Sequence, residues 1–254
     1  GPISETVSGR LAIHQFVGNG FIDNDFLNRD DTNDFDERTV RGKLRWQASD
    51  TTRIDMVASY YDADNGYDAF SLENSRRTGS DEPGYDRQQS NAFSLTVSHE
   101  TASVILDGRL FLENSDLDYG FDWDWSNVPR SGIRGGENNR RQRDSMGFDI
   151  RISSEGGARI TDQIDWVVGL YRYERDVELS YNDHWEDSWG YYPSAFDSDF
   201  STKRLAAYGQ LDLPLSKQLH VTMGGRWETY DDDYRDSAGV TAKPDDDLWG
   251  GRIS

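Results

Sequence analysis

The residues best suited to binding chemistry lie in two aromatic-rich stretches. Residues 119–134 hold Tyr119, Phe121, Trp123 and Trp125, followed by Arg130 and Arg134; residues 184–192 hold His184, Trp185, Trp189, Tyr191 and Tyr192. Indole and phenol rings offer an apolar face with a polar edge, and guanidinium offers a planar fork of donors. Together they suit capture of an anionic or aromatic ligand, or stacking on a sugar. The same rings equally suit small hydrophobic clusters that hold long loops together. Trp123, Trp125, Arg130, Arg134, Trp185, Trp189, Tyr191 and Tyr192 are therefore the candidate ligand-binding residues, with loop packing as the competing role.

Other chemistry is thinly represented. His184 sits among Asp183, Glu186 and Asp187, but the four histidines (His14, His99, His184, His220) are far apart in sequence, and no metal ligand is assigned. Asp62, Asp64 and Asp68 have something of a calcium loop, with Glu73 at the twelfth place, yet Gly66 comes a residue early; an acidic turn is the simpler reading. There is no nucleophile elbow, phosphate loop or zinc-protease helix, and no pair of carboxylates is singled out for glycoside hydrolysis. The chain reads as a non-enzyme without a cofactor. With no cysteine it has neither a disulfide framework nor a thiolate site. A formal charge of −20 argues against nucleic acid as a partner, because phosphate binding needs a basic surface. Most of that charge is solvation of acidic loops such as the run from Asp23 to Glu37.

The elements that must position the aromatic stretches are strands. Alternation of apolar and polar residues predicts them over 5–16, 38–48, 53–61, 88–99, 103–113, 143–153, 164–174, 203–213 and 219–229, with a tenth from about 248. The joins at 49–52, 100–101 and 214–218 are tight and that at 154–163 somewhat longer. The others (17–37, 62–87, 114–142, 175–202 and 230–247) are long and acidic. Structureless loops of such length are uncommon in compact domains. Short turns at one end and long loops at the other are the plan of an outer-membrane barrel, in which a spanning strand needs only about 9–11 residues, half of them facing lipid. The expected fold is all-β: an antiparallel, sequentially paired meander of about ten strands, without a substantial helix, forming part of a transmembrane β-barrel.

The faces support this. Val40, Leu44, Leu106, Leu110, Phe148, Ile150, Leu211 and Val221 are expected on a convex apolar face, and Arg41, Arg45, Asp107, Arg109, Asp149 and Arg151 on the concave side. Full charges in mid-strand suit a wet lumen, where Arg and Asp of adjacent strands pair with one another. Trp46, Tyr60, Trp166, Trp227 and Trp249 fall near strand ends, where an interfacial girdle belongs.

Specific stretches carry a family resemblance. Gly1–Ala12, Gly20–Asn24 and Arg41–Asp50, then Ala207–Leu215 and Gly224–Glu228, resemble barrel strands and hairpins of TonB-dependent outer-membrane receptors, in order and spacing across nearly the whole chain. The resemblance implies a barrel of 22 strands plugged by an N-terminal domain. Its implied work is import of a scarce nutrient, most often a ferric siderophore, energised through the TonB complex. It also implies outer-membrane lipid as surroundings, and makes residues 1–254 a partial barrel whose plug, TonB box and later strands lie elsewhere. On that reading the edges at 5–16 and 248–254 are unpaired, and a signal peptide and the true N-terminus lie upstream of Gly1. The competing functions are a passive porin or adhesin-type barrel, or a soluble secreted carbohydrate-binding β-protein.

Overall fold

In the computed structural model, residues 1–154, 164–216 and 218–254 are described. The strands, in chain order, are β1 (Val7–Gly18), β2 (Asp23–Asn24), β3 (Phe35–Ser49), β4 (Thr52–Tyr67), β5 (Arg77–Thr78), β6 (Gly84–Glu100) and β7 (Val104–Asp122), then a single helical turn α1 (Val128–Ser131). They continue with β8 (Arg134–Ser154), β9 (Asp165–Asp187), β10 (Gly190–Pro214), β11 (His220–Asp236), β12 (Thr241–Ala242) and β13 (Asp245–Ile253). The long strands form one sheet in sequence order, each antiparallel to the next, with β13 paired to β11. Among the described residues no ladder joins β1 to β13, as expected. The join expected at 154–163 lies largely outside the described residues.

One expectation needs correction. The loops expected over 114–142, 175–202 and 230–247 are mostly strand: β7 continues to Asp122, β8 starts at Arg134, β9 and β10 meet in a tight hairpin tip at residues 188–189, and β11 continues to Asp236 with β13 starting at Asp245. Beyond the apolar band no lipid enforces an apolar outer face. On β7 and β9 the apolar residues pass to the opposite face (Leu117, Tyr119 and Phe121; Val177, Leu179 and Tyr181), so the pattern falls out of phase with the strand below while the backbone ladder continues. The meander is antiparallel throughout, as expected; β2 and β5 add only a two-residue parallel contact between loops, outside the main sheet.

The predicted faces hold. In antiparallel pairs directly opposed residues share a face, and the register carries Leu44, Met56, Leu95, Leu110 and Phe148 in one row. Val40, Leu106, Ile150, Leu211 and Val221 fall on that same side, while Arg41, Arg45, Asp107, Arg109, Asp149 and Arg151 fall on the other. The polar side is the concave one, because its side chains reach across an intervening strand. Phe111 on β7 passes over Gly147 of β8 to place its ring 6.1 Å from Tyr173 of β9. Tyr208 on β10 passes over Gly169 of β9 and donates its hydroxyl to Asp149 of β8 at 3.0 Å. A side chain on either glycine would occupy the space of the crossing ring. Arg45–Asp55 (2.6 Å) and Arg151–Asp107 (3.1 Å) are the expected cross-strand ion pairs; Arg41, Lys43 and Arg109 make none among the described residues.

The apolar band runs obliquely across the ladder. Val40 marks its upper edge on β3, but the same row passes through Asn91, Asn114, Asp144 and Asp176 to Asp233 on β11. On β11 the upper edge is Trp227, which lies in the row of Trp46. The edge has therefore moved six residues (46 − 40) over the seven steps from β3 to β11. At about 3.3 Å per residue and about 4.8 Å between strands, this is a slope of about 30°. A level band on tilted strands gives that result, close to the tilt of roughly 35–45° found in membrane barrels.

Candidate ligand-binding site

The site is built at the long-loop end, where β7, β8, β9 and β10 outrun the apolar band. Gly135, Trp185 and Tyr192 are register partners on the concave face. The Trp123 indole lies across Gly135, whose missing Cβ leaves room for it, and its Nε1 donates to the His184 carbonyl at 3.3 Å. Trp185 and Tyr192 pack at 5.3 Å. Three half-exposed rings thus line up across β8, β9 and β10 on the lumen side. Two steps deeper the same face carries Tyr181, which donates to Glu137 at 3.2 Å.

The remaining candidates are placed differently. Trp125 stacks on Phe70 at 4.7 Å within a cluster that includes Tyr67, Tyr119 and Phe121, which is loop packing. Arg130 pairs with Glu73 at 3.0 Å beside α1. Arg134 and His184 share Glu82, the histidine Nε2 lying 2.9 Å from its carboxylate, and the Tyr191 ring packs 5.7 Å from His184. By register Arg134 and Tyr191 are on the opposite face from Trp185. Trp189 is 88% exposed at the hairpin tip.

Deeper on the concave wall lies a set that sequence reasoning passed over. Arg226 lies 5.5 Å from the Tyr171 ring and 6.0 Å from that of Tyr208, and Arg204 lies 5.7 Å from that of Tyr230. Both guanidiniums also contact Glu228. Their signal was available as Arg and Tyr sharing the inward parity of β9, β10 and β11.

Three loops lock together above this wall. Asn24, 1% exposed, donates to Asp68 at 2.8 Å and to the Ser80 carbonyl at 2.9 Å, and Thr32 also donates to Asp68 at 2.7 Å. Burial pushes the Asp68 carboxyl up, and these hydrogen bonds oppose the shift. Asn127 reaches back to the Gly79 carbonyl at 2.8 Å. Burial, and then the adjacent Asp124, push Asp122 at the end of β7 up to about 7.

The model of the TonB-dependent receptor-like β-barrel matches residues 25–253. The chain belongs to that family. Barrels of this family are bacterial outer-membrane proteins, and the chain takes its place there. Among solved structures it is similar to the ferric yersiniabactin uptake receptor FyuA from Yersinia pestis, at 18% identity and a TM-score of 0.70, covering 100% of this chain and 39% of that one. It is also similar to the siderophore receptor PiuA from Acinetobacter baumannii, at 10% identity and a TM-score of 0.75, covering 99% of this chain and 43% of that one. A third similar structure is the ferric-catecholate import receptor Fiu from E. coli K12 in its open form, at 11% identity and a TM-score of 0.65, covering 100% and 47%. At these identities the likeness is one of fold. The chain spans less than half the length of each. No curated protein matches it by sequence.

Proposed function

We propose that this chain is part of the barrel of a longer receptor that imports a scarce nutrient across the outer membrane, energised through the TonB complex, with a ferric siderophore as the imported ligand. The observation that carries the reading is the row Trp123, Trp185 and Tyr192 on the lumen side of the rim, above a wall holding Arg204 and Arg226 against tyrosines. Flat rings at an entrance bind flat or apolar ligand faces, and guanidinium deeper in attracts the negative charge common to ferric chelates. The family and the named uptake receptors of the same fold support this reading; a plug and a TonB box elsewhere in the longer protein complete it. Arg130, Arg134, Trp125, Trp189 and Tyr191 have structural or peripheral roles in this account.

The test is uptake of radioactive iron by iron-starved cells whose only siderophore receptor is the full-length protein, offered catecholate, hydroxamate and citrate chelates separately. Uptake of one class, abolished by loss of TonB and reduced at least about tenfold by Trp123→Ala with Trp185→Ala, is expected, since truncated aromatic anchors typically cost about 2 kcal/mol or more. Uptake that persists without TonB would overturn the reading in favour of a passive pore.

A further inference from the structure

Three carboxylates from two loops converge below the aromatic cluster: Asp81, Asp122 and Asp124, whose ligand oxygens all lie within 4.8 Å of one another. Each spends one oxygen on a backbone amide. Asp81 Oδ2 accepts from Val128 N at 3.1 Å, Asp122 Oδ1 from Asp124 N at 3.0 Å and Trp125 N at 3.1 Å, and Asp124 Oδ1 from Ser126 N at 3.3 Å. The other oxygen of each, Asp81 Oδ1, Asp122 Oδ2 and Asp124 Oδ2, is buried and has no hydrogen-bond partner. Two further buried oxygens nearby are in the same condition: Ser80 Oγ, in a residue 1% exposed, and Ser126 Oγ, in a residue 2% exposed. Ser80 Oγ lies beside the Asp122 carboxylate without the geometry of a hydrogen bond. Asp122 itself is only 4% exposed.

Nothing among the described residues neutralises this charge at contact distance. The neighbouring cations are committed elsewhere, Arg134 and His184 to Glu82, and Arg130 to Glu73. Buried like charges with orphaned acceptors are costly, and native structures retain them where a cation or proton supplies the missing partner. A donor set made only of carboxylate and hydroxyl oxygens, at irregular positions in loops, suits a hard cation that tolerates flexible geometry. Calcium does so better than magnesium, which demands a near-ideal octahedron.

We propose that Asp81, Asp122 and Asp124, assisted by the Ser80 and Ser126 hydroxyls, form a calcium site that staples the β4–β6 loop to the β7–β8 loop. Asp81 comes from the first loop, and Asp122 and Asp124 from the turn that leaves β7. The backbone already joins the two there, through Asp81 N to the Ser126 carbonyl at 2.8 Å. The ion fixes the turn that carries Trp123 and Trp125, and so sets the aromatic rim. The inference does not depend on which nutrient is imported.

Terbium(III) is the probe, because it occupies oxygen-only calcium sites and its luminescence is sensitised by indole, which Trp125 supplies next to Asp124. Titration of the full-length receptor in detergent, exciting tryptophan, is expected to give a saturable signal that calcium displaces and magnesium at equal concentration does not. Asp122→Asn with Asp124→Asn should weaken binding at least about tenfold, since calcium affinity follows ligand charge count. Asp246→Asn with Asp247→Asn on β13 should leave it unchanged. Unaltered binding by the first double variant, or a signal insensitive to calcium, overturns the proposal. Should that variant not fold, Ser80→Ala and proteolysis of the wild-type loops decide: weakened terbium binding together with calcium-dependent protection supports the site, and the absence of either effect overturns it.

Discussion

At the scale of the residue, glycines on the two faces do different work. Gly147 and Gly169, on the concave side, leave room for the Phe111 and Tyr208 rings, and a Cβ there meets ring atoms at 2.4 and 2.3 Å. Gly42 and Gly108, on the convex side, have nothing within 4 Å of a built Cβ. Gly147→Ala is therefore expected to destabilise the folded receptor by about 1–3 kcal/mol, the usual cost of overpacking. Gly42→Ala and Gly108→Ala should be neutral or slightly stabilising, because they meet no neighbour and remove chain entropy from the unfolded state. Guanidinium unfolding in lipid vesicles measures both. The pattern of rings over glycines was not legible in the sequence, because each depends on which residues stand opposite one another across three strands. Trp123, Trp185 and Tyr192 were legible as aromatic, but their meeting on one face rests on the position of Gly135 in the register. Nothing local separates Trp125 from Trp123; Phe70, far along the chain, captures the former.

At the scale of the element, the strands read well where lipid enforces alternation and poorly where it does not. Phe93, Leu95 and Val97 on β6 alternate with Ser94, Thr96 and Ser98, and the strand is plain. Residues 175–187 and 190–202 carry their apolar side chains on the lumen face (Val177, Leu179, Tyr181, Phe196 and Phe200), out of phase with the lipid-facing pattern below, so only their ladder, invisible in one dimension, shows that they extend β9 and β10. The loops were equally opaque, since the carboxylate cluster joins residues 81 and 122–124 from separate segments. The Asn24 latch makes a prediction at this scale. Asn24→Ala removes three side-chain hydrogen bonds, those donated to Asp68 and the Ser80 carbonyl and the one accepted from Leu27 N, at a cost of about 1–3 kcal/mol. That cost falls on the loops, because no barrel ladder passes through Asn24. Trypsin should cut at Arg76 or Arg77 faster in the variant, while the heat-resistant folded band on a gel is unchanged. Loss of the band would show that the loops hold the barrel together.

At the scale of the whole molecule, a single oblique band ties the strands to the membrane. The row Trp46, Ile54, Val97, Gly108, Ile150, Leu170, Ala207, Trp227 and Trp249 is apolar throughout, yet begins at the short-turn edge on β3 and ends at the long-loop edge on β11 and β13. A charge on the lipid side near mid-band should therefore be far costlier than one on the lumen side. Leu110→Arg is expected to cost about 2–4 kcal/mol of folding stability and Thr96→Arg little, both read from folding titrations into vesicles. Residues 1–254 hold no cysteine, so once any cysteine elsewhere in the receptor is replaced the central claim is directly measurable. Single cysteines at Leu44, Leu110, Ile150 and Leu205, and at their neighbours Lys43, Arg109, Asp149 and Arg204, can carry spin labels in the membrane-embedded receptor. The account predicts that the first group is relaxed by oxygen dissolved in lipid and the second by a water-soluble nickel chelate. Equal access of the chelate to both groups would contradict it.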